Sequence, residues 1–127
     1  MNTIAKNLLL GLLFCMPFAA TAQTMVGDWS AKAVDENGNP MTFKVSLKAD
    51  GTYTVDFGAD GSVEIEGKYT LAGDQITIED TGGPAACNAG KGVYTFELTE
   101  TTNTLTLVSD PCEGRGGPDG KIKFTRL

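Results

Sequence analysis

The side chains of this chain best able to do chemistry are three cysteines, two arginines and sixteen acids, and there is no histidine among its 127 residues. Cys87 and Cys112 stand just outside the ends of two alternating apolar runs, Tyr94-Phe96-Leu98 and Leu105-Leu107, which face each other across a turn at Thr99 to Asn103. In an oxidising compartment the two thiols would clamp the open end of this hairpin, an effect of about 3.5 kcal/mol by loop-closure entropy. Zinc or copper would need further nitrogen or sulfur ligands, which a histidine-free chain does not supply, so no metal or cofactor is expected.

The acids gather in turns. Asp35-Glu36-Asn37-Gly38-Asn39 and the set Asp56, Asp60 and Glu64 invite a calcium reading, but neither follows the alternate-position spacing of an oxygen-ligand loop. Asp, Asn and Gly also serve hairpin turns in their own right, and that is the reading adopted. Catalysis is not expected. Glu64 and Glu66 share the outward face of one run, and Ser30, Ser46, Ser62 and Ser109 have no basic partner in sequence. Gly114-Arg115-Gly116-Gly117 lacks the strand, lysine and helix of a phosphate loop. Arg115, three residues after Cys112, is expected to bond to loop carbonyls or to Asp110.

The start of the chain explains why an oxidising compartment is expected. Lys6, the apolar run Leu8 to Phe14 and the small-residue exit Ala20-Thr21-Ala22 have the layout of a secretory signal peptide, with cleavage after Ala22. The apolar run is too short to span a bilayer. Cys15 follows the bulky Phe14, which argues against a lipid-attachment site, so it belongs to the discarded segment and no membrane anchor is expected. Residues 23–127 then form one domain that is secreted or periplasmic. Removing Lys6 from ten basic residues leaves nine against sixteen acids. That acidic balance disfavours nucleic acid and anionic lipid as partners.

Eight runs of period two must position these residues. The first is Gly27 to Val34, followed by an Asn-Gly turn within Asp35 to Pro40. Runs at Phe43-Leu47, Tyr53-Phe57, Val63-Leu71, Gln75-Asp80, the two hairpin arms and Lys121-Arg126 complete the set. Gly67, inside the longest run, predicts a bulge or sharp bend. Short connections make neighbours antiparallel, and a meander of that width hides its edges and apolar face best as a closed barrel. The fold class is therefore an all-β, single, antiparallel, eight-stranded up-and-down barrel with one disulfide. Its inward set runs from Trp29 to Phe124 and includes Phe57, Val63 and Leu107. At eight strands such an interior is either just filled or holds one small ligand.

Gly27-Asp28-Trp29 resembles the G-x-W signature on the first strand of lipocalins and the wider calycin group, with Arg126 on the last strand. Gly92 to Leu98, Leu105-Thr106-Leu107 and Asp110-Pro111-Cys112-Glu113-Gly114-Arg115 resemble small secreted bacterial lipocalin-like proteins. The resemblance implies a closed barrel in which Arg126 packs across Trp29 and plugs one end. It departs from the fatty-acid-binding branch, which has a helical lid where this chain has a six-residue turn, and from lipocalins that carry a helix after the barrel. The function expected is an exported, non-catalytic binding module for a small apolar ligand. Its candidate ligand-binding residues are Trp29, Phe43, Tyr53, Tyr69, Tyr94 and Arg126, with tyrosine hydroxyls orienting the ligand and Arg126 able to receive an acid group. The chain is expected to be a monomer in either reading, the alternative being a barrel with a filled interior that binds a protein through its loops, as small periplasmic inhibitors of metalloproteases do.

Overall fold

The computed structural model describes residues 25–35 and 37–127, so the expected signal segment, Cys15 and Glu36 lie outside the described residues. Eight strands follow in order: β1 Gly27–Val34, β2 Pro40–Leu47, β3 Thr52–Phe57, β4 Ile65–Ala72, β5 Gln75–Gly82, β6 Gly92–Leu98, β7 Thr102–Ser109 and β8 Lys121–Arg126. Each pairs antiparallel with its neighbour in sequence, and β8 returns to β1 to close the barrel. Period-two alternation dictates this arrangement, because it gives every strand one face that must leave water.

Register carries the inward face around the wall. Trp29 lies opposite Val45, Val45 opposite Val55, and Val55 opposite Ile65. Next to that row, Leu47 meets Tyr53, Tyr53 meets Gly67, and Gly67 meets Asp80. The β4–β5 ladder shifts register between Glu66 and Gly67, the bend predicted from the glycine. A β-carbon at Gly67 would run into the Tyr53 ring and stand 2.5 Å from the Glu79 carbonyl, so glycine is what lets the tyrosine cross the wall here.

Up-and-down order puts the connections at two ends. The turns β2–β3, β4–β5 and β6–β7 gather at the end that holds Trp29, and the loops β1–β2, β3–β4, β5–β6 and β7–β8 gather at the other, the mouth. The β1–β2 turn is an Asx turn, with Asp35 Oδ1 accepting from the amides of Asn37 and Asn39. The Trp29 end is shut. Met25 and Trp29 are almost fully buried, and the indole Nε1 donates to the Met25 carbonyl at 3.0 Å.

Several residues depart from the sequence expectation. Val63 precedes β4 and is exposed in the β3–β4 loop, where Glu64 and not Val63 bonds back to Val55. Phe57 ends β3 with about a third of its surface in water, because β3 pairs with β4 only as far as Val55. Leu107 is exposed beside a register shift between Val93 and Tyr94 that disturbs alternation at the end of β7. Asn103, read as a turn residue, belongs to β7 and is buried, because the turn closes one residue earlier through Thr99 and Thr102.

Replacing Gly67 with Ala is expected to destabilise the barrel domain by about 2 to 3 kcal/mol, since neither the ring nor the carbonyl can yield cheaply. Urea unfolding of the wild type and the variant measures the difference.

Candidate functional site

The disulfide expected from spacing is present: Cys87 of the β5–β6 loop is joined to Cys112 of the β7–β8 loop, across one half of the mouth. Beneath it lies a polar network that sequence reasoning found only in part. Asp110, just past the end of β7, turns the chain by accepting the Cys112 amide on Oδ1 at 2.8 Å. The same turn brings Arg115 round, and its guanidinium grips Asp110 two-pronged, with Nε to Oδ2 and Nη2 to Oδ1 both at 2.7 Å. Nη2 also donates to the Gly90 carbonyl at 2.8 Å, tying the two loops together independently of the disulfide. Arg115 thus makes both kinds of contact anticipated for it.

Asp80 was unforeseen as a site residue. It points inward from β5, accepts the Tyr53 hydroxyl at 2.5 Å and the Cys87 amide at 2.8 Å, and stands 3.7 Å from Arg115 Nη1. Tyr94 donates its hydroxyl to Asp110. The signal for Asp80 was its place on the apolar face of its strand, in phase with Ile76 and Ile78, where an acid requires a partner. Gly92 belongs to the same construction, since a β-carbon there would stand 2.8 Å from Asp110 Cγ and 2.9 Å from the Tyr94 ring.

Electrostatics follow from this packing. Burial, helped by the hydrogen bond to Asp80, pushes the Tyr53 hydroxyl far above its ordinary range, and burial with Asp110 does the same to Tyr94. Both hydroxyls hold their protons. Burial opposes ionisation of Asp110, but the hydrogen bonds from Arg115 and Tyr94 outweigh it and keep the carboxyl below its ordinary value.

The six sequence-predicted ligand residues fall into two groups. Five have their polar groups engaged by the protein. Tyr53 and Tyr94 serve the two acids, Tyr69 donates to the Lys48 carbonyl at 2.5 Å, and Trp29 donates to Met25. Arg126 lies over the Trp29 ring with its guanidinium carbon 4.1 Å from the centroid, and donates to the carbonyls of Val26 and Glu100. Gly27 leaves room for it, because a β-carbon there would stand 2.6 Å from Arg126 Nη1. Phe43 is different. It is half-buried near the mouth, edge-on to Phe57 and Phe124 at 6.5 and 5.9 Å between centroids.

Around Phe43 the inward residues Val45, Val55, Ile65, Leu105 and Ile122 are also only half-buried, as are Leu71, Ile78, Phe96 and Leu98 further round the barrel, whereas Ala31 and Phe124 beside Phe43, and Leu47, Tyr53, Ile76 and Tyr94, are buried. On the β3–β4 loop, carboxylate oxygens of Asp56, Asp60 and Glu64 come within 4.8 Å of one another. They accept the amides of Asp60, Gly61, Ser62 and Phe57, as turn-forming acids do.

A protein-family model described as a lipocalin-like domain matches residues 25–107. No curated protein and no solved structure matches the chain significantly.

Replacing Arg115 with Gln leaves two buried carboxylates without their cation and is expected to cost about 3 to 5 kcal/mol at neutral pH. Because the folded-state pKa of Asp110 is lowered, its contribution is complete above the ordinary carboxyl value of about 3.9 and is lost as pH falls below it. The gap between wild type and variant, followed by denaturant unfolding from neutral to acid pH, should therefore narrow below about pH 4.

Proposed function

We propose, on the premise that the chain belongs to the family of lipocalin-like domains, that it is an exported, non-catalytic binding protein that takes a small apolar molecule into its barrel through the mouth. The observation that carries this reading is the half-buried state of Phe43, Val45, Val55, Ile65, Leu105 and Ile122. Register turns these side chains into the barrel, and their incomplete burial supports an interior that its own side chains do not fill. The lipocalin-like barrel is a fold for binding small ligands, and these aliphatic and aromatic walls suit an apolar one.

Within this reading Phe43 contacts the ligand, and Trp29, Tyr53, Tyr69 and Tyr94 form the floor and the rigid wall behind it. Arg126 holds the closed end through Trp29. The acid-group preference weakens, because each arginine already bonds to the protein, Arg115 to Asp110 and Arg126 to two carbonyls. Recognition then depends on shape and apolar area. Export is supported by the Cys87–Cys112 bond, which persists in oxidising compartments. Among the described residues no helix is long and apolar enough to cross a membrane.

The test is titration of the mature protein with a neutral, environment-sensitive apolar dye. Saturable emission is expected, and Val55→Trp, which fills the middle of the interior, should weaken it by about tenfold or more. Native mass spectrometry of protein from its exporting cells, before and after organic extraction, gives a second readout free of substitutions. A bare mass together with no dye response would overturn the proposal.

A further inference from the structure

The seam that closes the barrel is paired along only part of its length. β1 and β8 face each other in the ladder at Trp29↔Arg126 and Ser30↔Thr125, and the Leu127 amide adds a bond to the Asp28 carbonyl. From there towards the mouth β1 runs on through Ala31–Val34, and β8 approaches from the mouth through Lys121–Phe124. The β1–β8 ladder does not extend to either segment. The far edge of each is fully used: β1 pairs with β2 from Gly27 to Val34, and β8 with β7 from Lys121 to Thr125. Each lip of the seam therefore keeps a row of main-chain donors and acceptors on one side only, which is the condition for adding a strand.

The lips are also charged. Lys32 on β1 and Lys121 and Lys123 on β8 are exposed, lie on the outward face, and form no ion pair among the described residues. Their neighbour Lys44 pairs with Asp28 at 3.6 Å. The chain as a whole has a net charge of −6, so this face is positive against an acidic background. Exposed Val34 adds an apolar position on the same lip.

We propose that the open part of the β1–β8 seam is a docking site for an extended, acidic peptide segment of another protein, added as a strand along one lip. Main-chain pairing supplies the attachment, and carboxylates placed beside Lys32, Lys121 and Lys123 at cross-strand distance supply the selection. The same lysines exclude a second copy of this chain, since edge-to-edge pairing would set lysine against lysine. An anionic lipid surface could answer the charge but has no use for strand edges, which is why a peptide is the partner favoured. This inference is independent of the ligand assigned to the interior.

The test uses the mature, disulfide-bonded protein and a labelled synthetic peptide alternating glutamate with valine. Saturable anisotropy is expected, with amide NMR shifts concentrated in 31–34 and 121–124. N-methylation of alternate peptide amides, which removes strand pairing and keeps the charge, should weaken binding by about tenfold or more. The double reversal Lys32→Glu with Lys123→Glu, at exposed positions, should weaken it by a similar factor and admit the lysine-valine peptide instead. Equal binding of the methylated peptide, shifts confined to the loops, no saturable peptide binding, or capture by phosphatidylglycerol vesicles in place of peptide would each overturn the proposal. Peptide that binds while an interior dye stays bound separates this site from the one in the barrel.

Discussion

The barrel depends on the contact between Trp29 and Arg126. A meander of eight strands is complete as a ladder before it closes, and closing it joins its two edges over part of their length at the cost of bending the whole sheet. The ladder that achieves this is short, so side chains carry much of the join. Arg126 covers the indole face and reaches the Val26 and Glu100 carbonyls, while the indole nitrogen is held by Met25. A guanidinium suits this place because its planar face stacks while its edge still donates. Gly27 is part of the same device, since any side chain there would occupy the space of Arg126.

The opposite end is held by different means, and the contrast shapes the molecule. At the mouth the β5–β6 and β7–β8 loops are fastened twice, covalently through Cys87 and Cys112 and electrostatically through Arg115, Asp110 and Gly90. The β1–β2 loop closes on its own turn around Asp35, and the β3–β4 loop turns around Asp56 and is joined to the β5–β6 loop where the Glu64 carbonyl accepts the Ala85 amide. One side of the mouth is thus cross-linked and polar beneath its surface, and the other is aromatic, with Phe43 and Phe57 at its edge.

Strand order, the bulge at Gly67, the disulfide and the plug at Trp29 were legible in the sequence because each leaves a local mark: alternation, a glycine within a run, paired cysteines, a tryptophan after Gly-x. The buried network was only half legible. Arg115 and Asp110 are five residues apart and lie in one loop, so their bond could be anticipated, whereas Asp80 meets them only once the barrel brings β5 to β7 through β6. Phe57, Val63 and Leu107 alternate correctly yet reach water, because alternation assigns a face and does not say where the ladder stops. Asn103 was missed for a related reason: asparagine is a turn former by type, and only the Thr99–Thr102 closure shows that the turn had already ended.

All ladders but one join strands adjacent in sequence, so most of this sheet can form by short loop closures of low entropic cost. The exception is the seam, where Arg126 bonds to Val26 across a sequence separation of 100 residues. Folding by this topology is a local zippering that ends in a single distant event, and the sheet must stay open at both edges until the last strand exists. In a chain made from its N-terminus, the strand that carries Arg126 is the last of the eight to be synthesised. The contact on which closure rests is therefore the one for which the rest of the molecule has longest to wait.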